Sequence, residues 1–380
     1  MKIAMVSPYD WNYPGGVRDH VLNLSEQFIQ MGHDVRVLAP GSGSKVDLSE
    51  SHIYNIGRTV PLHFNGSIAR ITFIPDLTWG VRRILQREQF DVIHIHEPLV
   101  PSLSLDVLRL SRTLTVGTFH AFAQFSMTSG PHLAYASAYP FLRHYFRRLA
   151  GRIAVSNAAH QFISHYFPAD YQIIPNGIDL GRFNLHIAPL PQFMDGKRNI
   201  LFVGRFETRK GAKYLLRAIP AIRERHPNTR FIFVGEGRPR ASFQHLVEQA
   251  GWPDIIFTGY VSDDEKLRYF ASSHVFCAPT IGNESMGIVL LESMASGTPV
   301  VASNIQGYTT VVTSGVDGLL TAPRDSEELA STVSSLLENE PLRQRLIHAG
   351  LQKVREYSWP QIARRIKDYY CWLLDERQMG

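Results

Sequence analysis

Short runs of β-branched and aromatic residues alternate with helical runs along this chain, and the alternation restarts once. The first half offers Lys2–Ser7, Asp34–Leu38, Val92–His96 and Thr113–Thr118 as strands. Helical periodicity fills several of the intervals, as in His20–Met31 and Leu77–Glu88. An irregular, Pro-containing stretch, Asn184–Asn199, then breaks the pattern. It resumes with Ile200–Val203, Arg230–Val234, Ile255–Phe257, His274–Cys277 and Pro299–Ala302. Strands that alternate with helices form parallel sheets covered on both faces. The expectation is therefore α/β, with two doubly wound domains, residues 1–184 and 185–358, facing a central cleft. In such sheets ligands sit beyond the carboxyl ends of the strands. The last segment, 359–380, opens with Trp359–Leu374, where Ile362, Ile366, Tyr369, Tyr370 and Leu373 recur at helical spacing. It is expected to pack back on the first domain.

Composition narrows the class. A chain of 380 residues, 44% hydrophobic and 19% charged, can bury two cores. No apolar run reaches the ~18 residues of a membrane span. Met1–Ser7 reads as a first strand rather than a signal peptide. Cys277 and Cys371 are the two cysteines. They give no disulfide framework and no metal-site spacing, and they fit a reducing cytoplasm.

Net charge is +5, and part of it is concentrated. Between Asp106 and Asp170 there is no acidic residue, while Arg109, Arg112, Arg143, Arg147, Arg148 and Arg152 lie there among aromatics. Such a run suits anionic lipid, nucleic acid or a phosphorylated substrate, and equally a basic solvated face over an aromatic core. No nucleic-acid-binding motif accompanies it. Arg82, Arg83 and Arg87 accompany Trp79 in Leu77–Gln89. That is a membrane-surface pattern and also that of an ordinary surface helix.

Several constellations fall at strand ends. Gly15-Gly16, before the helix near His20, lets backbone amides approach a phosphate, or marks a plain tight turn. Gly204-Arg-Phe-Glu-Thr-Arg-Lys-Gly211 follows Ile200–Val203. Its Arg205 and Lys210 can converge on a diphosphate and neutralise charge that develops as it leaves. Gly235-Glu-Gly237 is another strand-end turn, and Gly259-Tyr-Val261 can clamp a flat base through its backbone. His120 closes the strand from Thr113 and points toward the ligand region, as a sugar contact or as a satisfied structural histidine. His94 and His96 share one strand face, yet no further ligand arrives at metal-site spacing, so no metal is expected. Glu284 and Glu292 stand eight residues apart, the first in the loop Ile281–Ser285, the second in an apolar helix stopped by Gly297-Thr-Pro299. A loop carboxylate and a helix carboxylate can grip the hydroxyls of a sugar and a ribose. Taken alone, the pair fits a solvated Glu and a Glu favoured by the helix dipole.

Taken together these motifs resemble a retaining family 4 glycosyltransferase. The match rests on Arg205 with Lys210, Glu284 with Glu292, Gly297-Thr-Pro299, Gly315-x-x-Gly318 and Pro175-Asn-Gly-Ile-Asp179. It covers nearly the whole chain. Within that family the chain is most similar to the phosphatidylinositol mannosyltransferases, through Val6–Tyr9, Pro14-Gly-Gly-Val17 and Asn65–Arg70. The resemblance implies a GT-B fold of two Rossmann-like domains and metal-independent transfer of a hexose from GDP-mannose or another nucleotide sugar. It implies a lipid acceptor such as phosphatidylinositol, at the inner membrane face. Donor binding falls to Gly16, Arg205, Lys210, Gly235, Val261, Glu284, Ile288 and Glu292, and acceptor binding to Tyr9, Asn65, Ser67 and Arg70. Arg70 would anchor the phosphate, and His120 would contact the transferring sugar. No side chain stands out as a covalent nucleophile, so front-face attack fits, with a leaving phosphate oxygen taking the acceptor proton. Domain closure would exclude water. Residues 121–125, Ala121 to Phe125, lack the Thr and Lys that the family shows after this histidine. A UDP-sugar with another lipid or a soluble anionic acceptor therefore stays open. So do a phosphorylase or epimerase of this fold and a non-catalytic nucleotide-sugar-binding protein.

Overall fold

The structure is a computed structural model of the chain; it describes all residues except 42–51, 58, 65–66, 73–76, 101, 123–129 and 380. The chain divides into two compact units, residues 1–177 with 359–380, and residues 178–358. The first boundary thus falls at Gly177/Ile178, where the sequence suggested 184.

The first unit begins β1 (Lys2–Val6), α1 (Gly16–Gln30), β2 (Asp34–Ala39), β3 (Ile53–Asn55), β4 (Val60–Phe64), β5 (Ser67–Ile71) and α2 (Leu77–Glu88). It continues β6 (Val92–His96), α3 (Leu103–Leu110), β7 (Leu114–Phe119), α4 (Gly130–Phe146), β8 (Gly151–Ala154), α5 (Asn157–Tyr166) and β9 (Gln172–Ile173). Its parallel sheet runs β3-β2-β1-β6-β7-β8-β9. The central strands β1, β6 and β7 are almost wholly buried because both faces are covered. Ile3 and Met5 enter one core while Ala4 and Val6 enter the other, all with no exposed surface. The antiparallel hairpin β4-β5 stands apart from that sheet.

The second unit holds β10 (Arg198–Val203), α6 (Ala212–Arg225), β11 (Thr229–Val234), α7 (Arg240–Ala250), β12 (Ile255–Gly259) and α8 (Asp263–Ala271). After these come β13 (Val275–Ala278), α9 (Ile288–Ala295), β14 (Val300–Ser303), β15 (Leu319–Thr321), α10 (Ser326–Glu338) and α11 (Glu340–Lys353). The sheet order is β12-β11-β10-β13-β14-β15, again parallel. Ser262 caps α8 in a reciprocal capping box with Glu265. The Asp325 carboxylate caps α10 by accepting from the Glu327 and Glu328 amides.

In each sheet the strand order reverses once, between β1 and β6 and between β10 and β13. Ligands of doubly wound sheets bind at such switch points. The loops after these four strands are therefore where chemistry is expected.

The last helix, α12 (Trp359–Met379), belongs to the first unit. It runs past the Leu374 expected from periodicity. Ile362, Ala363, Ile366, Tyr370 and Leu373 bury against Ile3, Met5, Val35, Val92 and Val116. Replacing Ile366, which is 1% exposed, by Ala should destabilise this unit by about 2–5 kcal/mol. An unchanged urea midpoint for Ile366→Ala would show that α12 contributes nothing to the core.

Candidate active site

In the second unit, the turn after β10 carries a short 3-10 segment, Thr208–Lys210, closed by Gly211 at φ 72°. A Cβ on Gly211 would lie 1.8 Å from the Pro279 carbonyl oxygen. Only glycine lets this turn press against the end of β13. The Ile281 amide donates to the Arg209 carbonyl at 2.8 Å and fixes the register of the two loops. Gly235, at φ 134°, makes the other close approach, where its Cβ would meet the Gly204 carbonyl oxygen at 2.1 Å. The exits of β10, β11 and β13 are thereby held together.

This docking gathers charge. Lys210 Nζ lies 2.5 Å from Glu284 Oε2, and Arg209 Nη1 lies 3.2 Å from the same oxygen. Arg209 Nη1 also donates to the Asn283 carbonyl, and its Nε donates to Glu207 at 2.8 Å. Arg205 pairs with the other Glu207 oxygen at 2.9 Å and is half exposed. The Arg205–Lys210 clamp expected from sequence is thus arranged differently. Arg209 and Lys210 share Glu284, while Arg205 stands at the outer end of the chain of charges. Burial alone would raise the Glu284 carboxyl, but Lys210 and Arg209 outweigh it and hold the group below its usual range.

Glu292 sits in the second turn of α9, and its Oε1 accepts from Lys266 Nζ at 2.9 Å. Burial works against the Lys266 charge, but Glu292 and Asp263 more than compensate and raise its pKa. Ile288 opens α9 behind Gly287, and Val261 follows β12 and packs against the core.

In the first unit, Tyr9 bridges antiparallel to Ile71, and the Asp10 amide donates to the Arg70 carbonyl. The Arg70 guanidinium lies over the Tyr13 ring at 3.7 Å from its centroid. Tyr9 and Arg70 therefore share one neighbourhood. Burial, with the nearby Glu97 carboxylate, pushes the Tyr9 hydroxyl up. Asn65 lies outside the described residues, as does Phe125, and Ser67 opens β5 opposite Phe64. Gly16 begins α1, and a Cβ on Gly15 or Gly16 would meet nothing within 4 Å. Packing does not demand these glycines.

His120 follows β7. Its amide and that of Ala121 both donate to Glu97 Oε1 at 2.7 Å. Glu97 is buried and adopts φ 48°. Burial pushes its carboxyl up to about 7 against the pull of those two hydrogen bonds. His120 Nε2 lies 2.9 Å from His96 Nδ1. His20 packs edge-on to both rings and pairs with Asn176 at 2.8 Å. The expectation that no further ligand reaches the His94/His96 pair needs correction. His94 is occupied by Tyr370 and Thr118. His96 instead meets His20 and His120, with one ring nitrogen of each within 4.8 Å of the others. Three separate elements supply these rings, so spacing along the chain could not show the cluster.

The sequence assigns no role to Arg209, Lys266 or His20, and it marks Glu97 and Asn176 only as members of the His94–Glu97 run and the Pro175–Asp179 motif. Arg209 adjoins Lys210 and Lys266 follows a readable capping box, but their partners lie far away in the chain.

On α2, Arg82, Arg83 and Arg87 are exposed, and Arg83 stacks on Trp79, itself 70% exposed. Val81, Ile84 and Leu85 face the core, which removes them from any outer apolar stripe. Among the described residues no helix is long and apolar enough to cross a membrane. Part of the basic run is structural, since Arg148 donates to the carbonyls of Arg109 and Ser111 at the end of α3.

The second unit matches the family described as Glycosyl transferases group 1 over residues 190–353, and the first matches Glycosyltransferase Family 4 over residues 14–182. A protein of Mycobacterium leprae named phosphatidyl-myo-inositol mannosyltransferase is 40% identical over 97% of this chain and 96% of its own. The chain belongs to glycosyltransferase family 4. Proteins of the same name from Mycolicibacterium smegmatis and Propionibacterium freudenreichii are 37% and 34% identical to this glycosyltransferase. Both matches cover 97% of this chain, with 93% and 94% of the relatives' own. Sucrose-phosphate synthase from Thermosynechococcus elongatus superimposes with a TM-score of 0.78 at 20% identity, over 99% of each chain. HepE from Anabaena, solved with UDP-glucose, gives 0.74 at 19% identity, over 97% of this chain and 99% of its own. The fold of this glycosyltransferase is accordingly GT-B.

The Gly211 contact is testable. Gly211→Ala should cost at least about 2 kcal/mol, because a left-handed backbone and a backbone clash combine. A melting temperature equal to that of the parent protein would contradict the described approach to Pro279.

Proposed function

We propose that this glycosyltransferase moves mannose from GDP-mannose to a phosphatidylinositol-type lipid, with retention at the anomeric carbon and without a metal cofactor. The observation that carries this reading is the Arg209–Lys210–Glu284 cluster at the second unit's switch point, in a chain 40% identical to a phosphatidyl-myo-inositol mannosyltransferase. Lys210 and Arg209 suit a diphosphate, which would take over the positive charge that Glu284 balances. Arg205, half exposed and paired with Glu207 on the same loop, adds a further cation beside this cluster. Glu284 then turns to the sugar hydroxyls. Glu292, held by Lys266, receives the ribose, and the backbone at Gly235 and Val261 borders the base. The amides at Gly15-Gly16 and the start of α9 at Ile288 offer N–H groups to phosphate oxygens.

In the first unit Arg70 suits the lipid phosphodiester, with Tyr9, Asn65 and Ser67 around the inositol, and His120 contacts the transferring sugar. The acceptor oxygen bonds to the anomeric carbon on the face from which the phosphate oxygen departs. That oxygen takes the acceptor proton, and nucleoside diphosphate is released. Arg82, Arg83, Arg87 and Trp79 would rest on anionic headgroups at the cytoplasmic face. Ala121, where relatives of this type are expected to carry Thr, favours a second reading of the acceptor alone: a different lipid or a soluble anionic molecule.

Release of nucleoside diphosphate from GDP- and UDP-sugars, with and without phosphatidylinositol vesicles, tests the reading. GDP-mannose turnover stimulated by phosphatidylinositol is expected. Turnover of another donor, indifferent to lipid, would leave the transferase and remove the lipid acceptor. Donor binding without any turnover would favour a sensor of nucleotide sugars. Lys210→Ala should cut turnover by about 10²–10³-fold with the fold intact, and near-parental turnover in that variant would sink the diphosphate assignment. Arg70→Ala should raise KM for the lipid and leave donor affinity unchanged; an unaltered lipid KM would move the phosphate anchor elsewhere.

A further inference from the structure

We infer that His20, His96 and His120 form a site for one transition-metal ion of the zinc type, and that the ion acts there as a reversible inhibitor rather than a cofactor. The inhibitory part rests on the proposed role of His120 at the transferring sugar; the binding part does not.

The three rings come from α1, from the end of β6 and from the residue after β7. One nitrogen of each lies within 4.8 Å of the others. His96 Nδ1 and His120 Nε2, 2.9 Å apart, must share a single proton. An ion bound to imidazole at about 2.0–2.1 Å in tetrahedral geometry sets its ligand atoms roughly 3.3 Å apart. That spacing lies between the 2.9 Å of the His96–His120 contact and the 4.8 Å within which all three nitrogens fall, so an ion can replace the shared proton with small ring movements.

The third ligand is prepared. The Asn176 side-chain oxygen lies 2.8 Å from His20 Nδ1 and accepts the ring proton there. This leaves His20 Nε2 as a bare lone pair, and that atom is buried with no hydrogen-bond partner. A carbonyl oxygen behind a ligating imidazole is the usual way a protein orients one. His96 Nε2 is also buried without a partner, so the cluster carries two unsatisfied polar atoms.

His20 and His96 are buried and His120 is partly so. Neutral imidazole suits zinc, cobalt, nickel and copper, and an all-nitrogen set disfavours magnesium and calcium. The buried Glu97 side chain accepts from the His120 and Ala121 amides and fixes the backbone that carries the His120 ring. His94 stacks on His96 at 4.5 Å yet stays out, because Tyr370 and Thr118 occupy its two nitrogens.

The test uses the full chain without an affinity tag, stripped of metal, and Co2+ as probe. A one-to-one tetrahedral Co2+ absorption band, displaced by Zn2+, is expected. His20→Gln should weaken binding by at least about tenfold. His245→Gln, at an exposed ring on α7, should leave it unchanged. If circular dichroism shows that His20→Gln is unfolded, His96→Gln takes its place. No tetrahedral band in the parent protein, or an equal band in the folded cluster variant, overturns the site. Zn2+ should suppress nucleoside diphosphate release, and a chelator should restore it. Co2+ binding with turnover unaffected by Zn2+ overturns the inhibitory role. A chain that binds Co2+ but turns over no donor sinks the transferase reading and leaves the metal site standing.

Discussion

The contact between Lys210 and Glu284 joins two loops 74 positions apart in the chain. Those loops leave β10 and β13, the neighbours at which the second sheet reverses its order. The pair is only partly exposed, and Arg209 shares the same Glu284 oxygen, so the carboxylate keeps a cation even if Lys210 is lost. The loops are therefore held wherever the pair requires them. Gly211 lets the first loop approach Pro279, and Arg209 adds a second cation to the same oxygen. The start of α9, and with it Glu292, inherits its position from this junction.

The two units prepare opposite electrostatic environments at equivalent places in equivalent sheets. At the second switch point, cations outnumber carboxylates: Arg205, Arg209 and Lys210 face Glu207 and Glu284. That suits a doubly charged diphosphate. At the first, His20, His96 and His120 cluster beside the buried Glu97, which accepts from two backbone amides. That suits hydroxyl groups, which need donors and acceptors rather than net charge.

Much of this was readable from sequence, and the reasons differ by element. Strands buried on both faces leave unbroken apolar runs, so β1, β6, β10, β11 and β14 were visible. The short strands β8, β9 and β15 have too few residues to show a period, and the hairpin β4-β5 has a Pro in its first strand. Glu284, Glu292 and Lys210 were found because glycines and strand ends marked their loops. Nothing local separates Arg209 from Arg205; only the docking of the turn on Pro279 decides which arginine reaches Glu284. Lys266 and the histidine trio depend on strand order, and a linear pattern does not contain that information.

The path of the chain has one further consequence. Residues 178–358 are an insertion within the first unit, whose sheet face at Ile3, Met5, Val35 and Val116 is covered by α12. During synthesis that face is covered only in part, by α1, until α12 leaves the ribosome. The inserted unit, continuous in sequence, has everything it needs earlier. The half begun first is therefore the half completed last, and its apolar face is the surface that chaperones would have to shield in the interval.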